Sequence, residues 1–433
     1  MGLKPGYKQT EVGVIPEEWE VARIADVADV KTGPFGSALH ERDYVHDGTP
    51  IITVEHLGEL GVMTINLPLV SDADRHRLRA YSLDVGDIVF SRVGSVDRNA
   101  LIRETEAGWL FSGRLLRVRP SKKRAYAPYL SYQFHGESFK RRVRDVAVGQ
   151  TMASLNTKIL SNVKVVLPSL PEQSAIAGAL GDVDALIGAL DQLIAKKRDL
   201  KQAAIQQLLT GKTRLPGFRG KWEAKSIFEL ADKKKELFDD GDWIEAEFLE
   251  ESGTRLIQTG NIGQGRFEDK ESRKYISPES FTKLRCKGLS VGDILICRLA
   301  EPAGRACILP DIGETRLITA VDVTIFRPLP TLADRRFLVH VFSTRDWFSA
   351  VNERCGGSTR TRIARGELGR IEVNLPPIDE QSAIAVVLSD MDAEIGALEQ
   401  RLAKTRALKQ GMMQELLTGR TRLPLDEGTP CVA

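Results

Sequence analysis

The 433-residue chain contains few cysteines, and these form no recognisable framework. Cys286, Cys297, Cys307, Cys355 and Cys431 are scattered, without a CxxC pair. Neither a disulfide scaffold nor a zinc ribbon is therefore predicted, and a reducing compartment is the expected environment.

Long apolar runs and an excess of either charge are also missing. No segment reaches the roughly 18 apolar residues of a membrane span, and the first residues lack the apolar core of a signal peptide. We therefore expect a cytoplasmic protein with no membrane contact. The formal net charge is only +2, so any binding site for a polyanion must come from local clusters.

Complete catalytic and cofactor motifs are absent as well. The run Asn374-Leu375-Pro376-Pro377 approaches the Asn-Pro-Pro-aromatic motif of amino-methyltransferases, but Leu375 intervenes and no aromatic residue follows. Thr210-Gly211-Lys212-Thr213 is similar to the end of a phosphate-binding loop, but Gln206 stands where that loop needs glycine. The six histidines lack the spacing of metal ligands. We predict a non-catalytic chain that itself holds no metal ion or cofactor.

What the sequence does contain is one stretch that occurs twice. Residues 172–215 and 380–423 are identical at roughly two-thirds of their positions, and the second copy follows the first by 208 residues (380 − 172). Both copies lack proline and contain Leu-Leu-Thr-Gly, at 208–211 and 416–419, which predicts two long helices with Gly211 and Gly419 at their C-caps. A period this long indicates two domain-sized halves joined in tandem.

Apolar residues in both copies alternate spacings of four and three, which is typical of a narrow coiled-coil seam. The simplest arrangement is an antiparallel pair about 60 Å long. The alternative is two amphipathic helices buried separately, each in its own domain. The predicted seam contains Ile176, Leu180, Val183, Ile187, Leu190 and Ile194 in the first copy, and Ile384, Leu388, Met391, Ile395, Leu398 and Leu402 in the second.

Short β-rich runs separated by turn residues precede each helix. The run LDVGDI at 83–88 returns as LSVGDI at 289–294, and a helix is expected over about 126–145. The predicted fold class is α+β, with two similar β-rich domains separated by two long helices that form an antiparallel coiled coil, in a pseudo-twofold repeat. The predicted division is a first domain at 1–167, a helical spacer at 168–215, a second domain at 216–375, a second spacer at 376–424 and a tail at 425–433.

Basic and polar clusters remain as candidates for binding nucleic acid, because arginine, lysine and amide side chains contact phosphates and base edges. A solvated surface is the alternative interpretation of each cluster. The run GGSTRTR at 356–362 is the strongest, since its glycines allow close backbone approach. The candidates are Arg92, Arg98, Asn99, Lys122, Lys123, Arg124, Gln150 and Thr151 in the first domain, and Asn261, Arg266, Arg298, Ser358, Thr359, Arg360 and Arg362 in the second.

Three further features give the chain a family resemblance over nearly its whole length. Leu-Pro-x-x-x-Glu-Gln opens each long helix, at 167–173 and 375–381. The N-terminus carries TEVGVIPEEW at 10–19, and the Gly-Asp-Ile strand is repeated. In these features the chain resembles the specificity subunit of type I restriction-modification systems.

The resemblance implies two target-recognition domains, each reading half of a bipartite site in double-stranded DNA, and a helix pair that sets the gap. It implies docking of methyltransferase subunits, two in number, and of a restriction and translocase subunit. S-adenosylmethionine, ATP and magnesium would act in those partners, in phage defence and DNA methylation. A protein-binding coiled-coil scaffold and a degenerate methyltransferase or nuclease are the alternative functions. Base-contacting residues cannot be transferred, because the recognition domains vary within the family.

Overall fold

A computed structural model describes residues 3–34, 39–58, 61–149, 153–357 and 361–424. The chain divides into two compact units. The first unit comprises residues 1–191 and 400–433, and the second comprises residues 192–399. Each unit combines one β-rich domain with part of each long helix, so both predicted helical spacers contribute to both units.

The first domain consists of short strands and short helices, as its turn-rich sequence predicts. Its strands are β1 (Tyr7–Thr10), β2 (Gly13–Pro16), β3 (Glu20–Arg23), β4 (Ala28–Thr32), β5 (Tyr44–Val45), β6 (Thr49–Ile52), β7 (Leu57–Gly58), β8 (Gly61–Val62), β9 (Leu69–Val70), β10 (Ile88–Ser91), β11 (Asn99–Leu101), β12 (Leu110–Phe111), β13 (Leu115–Pro120) and β14 (Lys164–Leu167). Its helices are α1 (Ile24–Val27), α2 (Asp72–Arg77), α3 (Ala127–His135), α4 (Glu137–Val146) and α5 (Thr157–Asn162).

Two four-stranded sheets form the centre of this domain. One has the order β11-β10-β13-β4 and is antiparallel, and the other has the order β12-β6-β9-β5 with β12 parallel to β6. Strand β10 is buried on both faces: Ile88 and Phe90 pack in one core and Val89 in another. Because successive side chains of a strand point to opposite faces, β10 joins the two cores.

The second domain repeats this plan. Its strands are β15 (Glu223–Ser226), β16 (Phe238–Asp240), β17 (Leu249–Glu250), β18 (Thr254–Ile257), β19 (Lys274–Ile276), β20 (Ile294–Cys297), β21 (Ala306–Ile308), β22 (Leu317–Thr319), β23 (Val323–Phe326), β24 (Cys355–Gly356), β25 (Arg362–Ile363) and β26 (Glu372–Leu375). Its helices are α7 (Ile227–Leu230), α8 (Pro278–Lys283), α9 (Arg335–Val341), α10 (Arg345–Asn352) and α11 (Arg365–Arg370). The sheet order β16-β23-β20-β21 corresponds strand for strand to β4-β13-β10-β11, which confirms the internal repeat.

The two long helices are α6 (Leu170–Leu208) and α12 (Ile378–Leu416), each of 39 residues. They end before Gly211 and Gly419, and both glycines have φ +69°, a left-handed conformation that favours glycine after a helix. The helix expected over 126–145 is instead two helices, because Gly136 between them is extended, with ψ 137°. In the described ranges, no helix is long and apolar enough to span a membrane.

Candidate nucleic-acid interface

The repeated Glu-Gln pair connects the start of each long helix to its unit. In the second unit both carboxylate oxygens of Glu380, a fully buried residue, accept hydrogen bonds from Arg214. Gln381 accepts from the backbone N–H of Asp334 at 3.0 Å and donates to the carbonyl of Leu332 at 3.1 Å. This amide fixes the loop before α9 against α12, because it satisfies a donor and an acceptor of that loop.

The first unit contains the same connection with one addition. Glu172 accepts hydrogen bonds from Arg422 at 2.7 and 3.1 Å, and Gln173 accepts from the backbone N–H of Tyr126 at 2.8 Å. Trp19 also donates from Nε1 to Glu172 at 3.1 Å. The segment that follows α12 therefore lies beside the N-terminal segment of the chain.

The repeated Gly-Asp-Ile motif forms a second fixed point in each domain. Arg119 donates two hydrogen bonds of 2.7 Å to Asp87, and Arg327 donates two of 2.9 and 2.7 Å to Asp293. The bonds to the aspartates raise the pKa of both arginines. Such forked pairs hold adjacent strands in register, so this part of the motif is structural.

Arg298, a predicted DNA contact, lies inside the second domain. Its side chain is 3% exposed and donates to the carbonyl oxygens of Ile363 at 3.3 Å and Val321 at 2.6 Å. Its Nε lies 3.1 Å from Oδ1 of Asp240. We revise its predicted role, because these interior contacts leave little of the guanidinium for DNA.

Two further arginines of this region are paired with acids. Arg362 lies 3.2 Å from Asp322, and Arg365 pairs with Asp239. The described part of the basic run that ends at Arg362 is therefore largely neutralised within the domain. The candidates Ser358, Thr359 and Arg360, and Gln150 and Thr151 of the first domain, lie outside the described residues.

The first-domain candidates have different environments. Arg92 donates to the carbonyls of Leu155 and Gly113 at 3.3 and 3.4 Å, and Arg98 donates to the carbonyl of Leu57. Asn99 is buried. We revise its predicted DNA contact, because its side chain lies in the interior.

Lys122, Lys123 and Arg124 form one exposed turn after β13. Arg124 donates two hydrogen bonds of 2.8 Å to Glu20, so part of its charge is compensated. The two lysines remain predicted phosphate contacts.

Asn261 and Arg266 lie close together in sequence but differ in role. Asn261 is buried, accepts from the backbone N–H of Gln258 at 2.9 Å and donates to the carbonyl of Glu268 at 2.8 Å. These bonds shape the turn, so we also revise the predicted DNA contact of Asn261. The Arg266 side chain is 75% exposed and remains a predicted contact.

Arg114, which the sequence did not single out, is exposed next to Arg92. With Val93 and Gly113, these two arginines line a concavity of about 450 Å³. A single arginine before a strand gives no local signal. Only the strand register brings it beside Arg92.

Comparison with known proteins identifies this arrangement. A family model described as the type I restriction modification DNA specificity domain matches residues 16–196 and again residues 220–405. The chain belongs to this family. The resemblance carried by the repeated motifs is therefore confirmed.

Relatives of this specificity family match over nearly full length. The chain is 28% identical to the MjaX type I restriction enzyme specificity subunit of Methanocaldococcus jannaschii, covering 96% of this chain and 97% of that protein. It is 23% identical to the MjaVIII specificity subunit of the same organism, covering 94% of each. The solved S subunit from M. genitalium has a TM-score of 0.59 at 14% identity, covering 96% of this chain and 99% of that one. A chain from a solved type I R-M system has a TM-score of 0.54 at 15% identity, covering 94% and 99%. These structures share the fold.

The two specificity helices pack antiparallel within each unit. In the first unit Asp184 and Asp191 of α6 pair with Lys409 and Arg406 of α12, at 2.6 and 2.9 Å. In the second unit Lys197 pairs with Glu394 at 2.6 Å. In the first unit the residue number of the α12 partner falls as that of the α6 residue rises, as expected for antiparallel helices.

The predicted seam divides between two kinds of packing. Ile176 and Leu180 belong to the core of the first domain, and Ile384 and Leu388 belong to that of the second. The ends of the helices are thus buried on their own domains, as the alternative interpretation expected. Towards the helix centres, Ile187, Leu190, Ile194, Ile395 and Leu402 are buried, whereas Val183, Met391 and Leu398 are half-buried.

Tyr132 connects α3 with α6 in the first unit. It donates to Asp184 at 2.8 Å, and Lys409 lies 5.5 Å from its ring centroid. Burial raises the pKa of Tyr132.

His340 takes the equivalent position in the second unit. Its Nε2 lies 3.4 Å from Oγ of Ser389 and its Nδ1 lies 4.0 Å from Asp392, which also pairs with Lys201. Burial lowers the pKa of His340 to about 4, although Asp392 opposes this shift.

Acidification is expected to destabilise the second unit through His340. The unfolded histidine gains a proton below about pH 6.5, whereas the folded one stays neutral until about pH 4. The free energy of unfolding of the second unit should therefore fall by on the order of 3 kcal/mol as the pH drops from 6.5 to 4. Below pH 4 the contribution of His340 should stay constant. Urea unfolding at several pH values measures this.

The variant His340→Tyr with Ser389→Gly, which copies the first unit, should lose this component. An unchanged pH profile in that variant would contradict the assignment.

Proposed function

We propose that this chain is the DNA-reading subunit of a type I restriction-modification complex. Each domain reads one half of a bipartite site in double-stranded DNA, and the helix pair sets the gap between the halves. The strongest support is that the two domains share their internal contacts but differ in their exposed arginines. The Asp-Arg forks, Glu-Gln connections and sheet order recur in both domains, whereas the exposed arginines do not. Two domains with the same fold and different surface residues are suited to two different half-sites.

The helix pair would also dock the methyltransferase subunits. Leu193 and Leu200, seven residues apart, lie on one face of α6 and are 39% and 48% exposed. Leu408, the counterpart of Leu200 on α12, is 59% exposed. The exposed leucine that recurs in both copies, Leu200 in α6 and Leu408 in α12, supports one docking surface per copy, and hence two methyltransferase subunits.

Catalysis would reside in the partners. We propose that S-adenosylmethionine, ATP and magnesium act in the methyltransferase and restriction subunits, and that the complex works in the cytoplasm. Family membership supports a recognition role over a protein scaffold or a degenerate methyltransferase.

Selection from a pool of random DNA duplexes tests this function. The chain assembled with its methyltransferase subunits should enrich a bipartite motif with a fixed gap, at affinities at least about 10³-fold above non-specific DNA. A complex that assembles but enriches no motif would favour the scaffold. Methyl transfer by the isolated chain would favour the degenerate enzyme.

A further inference from the structure

The two domains place different charges at one equivalent site. The backbone N–H of Arg92 donates to the carbonyl of Arg114 at 2.8 Å, and the N–H of Arg298 donates to the carbonyl of Asp322 at 2.8 Å. Strand register confirms the match, since β10 pairs with β13 as β20 pairs with β23. Arg92 thus corresponds to Arg298, and Arg114 corresponds to Asp322.

In the second domain acids compensate most of the basic charge at this site. Arg298 pairs with Asp240, and Arg362 pairs with Asp322. Asp239 pairs with both Arg365 and Lys287. Each acid stands on or beside a strand of the β16-β23-β20-β21 sheet. Most of the positive charge is compensated within the domain, so this site attracts a polyanion only weakly.

In the first domain the same register positions carry no acid. Lys31, Thr32 and Arg114 occupy the places of Asp239, Asp240 and Asp322. Arg114 is exposed, and within the described ranges its side chain has no acidic partner. Two arginines beside a shared concavity, with no acid at these three matching positions, form a local site for an anion.

We propose that the concavity between Arg92 and Arg114 holds a hydrogen-bond acceptor of the DNA of the first half-site, with Arg114 as donor. The acceptor is a phosphate oxygen or the O6 and N7 edge of guanine, both of which arginine binds with two N–H groups. The inference rests on the proposed function and deepens it. It also assigns the contact to one half-site only, because Asp322 replaces Arg114 in the second domain.

The test uses the chain assembled with its methyltransferase subunits and the duplex that the wild-type complex selects from the random pool. Arg114→Ala should weaken binding roughly 5- to 100-fold. Arg75→Ala is the matched control, because it removes the same charge from an exposed position on α2 of the same domain. It should change affinity by less than about twofold.

Arg114→Lys distinguishes the two acceptors. If Arg114 binds a phosphate, lysine should retain most of the affinity, and alanine should lower the salt dependence by about one charge without changing the selected sequence. If it binds guanine, lysine and alanine should relax one position of the first half-site. In both cases an unchanged second half-site shows that the variant is folded.

Equal binding by wild type and Arg114→Ala would overturn this inference alone, and so would equal losses in Arg114→Ala and Arg75→Ala. A wild-type complex that selects no bipartite motif would overturn both this inference and the proposed function.

Discussion

Replacing Arg214 with alanine is expected to lower the free energy of unfolding of the second unit by about 3–5 kcal/mol, as for a buried ion pair that loses one partner. The Glu380 carboxylate is fully buried, and among the described residues only Arg214 donates to it. The indole N–H of Trp222 is buried and has no hydrogen-bond partner among the described residues. It therefore does not donate to Glu380 as Trp19 donates to Glu172 in the first unit. Alanine at 214 therefore leaves a charged carboxylate in the interior with no donor. Urea denaturation measures the loss.

The duplicated site provides the control. Arg422→Ala should cost less, because Glu172 still accepts the hydrogen bond of Trp19. A hydrogen bond to a charged group contributes about 1.5–3 kcal/mol, which sets the expected difference between the two variants. Adding Trp19→Phe to Arg422→Ala should remove that advantage. Equal losses in Arg214→Ala and Arg422→Ala would show that the indole does not matter.

Lengthening the helix pair is expected to change the DNA sequence that the complex selects. Four residues inserted after Leu200 in α6 add about 6 Å, and one base pair occupies about 3.4 Å. Residues 197–201 lie opposite Asp392 and Glu394, so the same insertion after Ala393 in α12 keeps the flanking ion pairs matched. The doubly extended chain should select the same two half-sites with a gap longer by one or two base pairs.

Random-duplex selection measures this gap directly. A control chain in which the four residues after Leu200 are replaced rather than extended should keep the original gap. If the extended chain selects the original spacing, the helices do not set it. Loss of all selection together with loss of methyltransferase binding would instead indicate a broken docking surface.

The roles of the candidate residues illustrate why the site was harder to predict than the fold. Asn261 and Arg298 are candidates in the sequence because amide and guanidinium groups can bind base edges. The structure uses the amide to shape a turn and the guanidinium to bind two carbonyls and Asp240. Arg114 stands alone in the sequence, so no local pattern marks it as a contact. Residue type and local clustering do not report whether a side chain is buried or already paired.

The internal repeat, the two long helices and the repeated Glu-Gln and Gly-Asp-Ile motifs can all be read from the order of residues. These features depend on periodicity, capping glycines and short motifs, which act over a few residues. Which arginines remain available to DNA depends on contacts made only in the folded chain. Asp240 neutralises Arg298 across 58 residues of chain (298 − 240), and Asp322 neutralises Arg362 across 40 (362 − 322). Strand pairing sets such distances, so the difference in charge between the two domains emerges only when the sheets are formed.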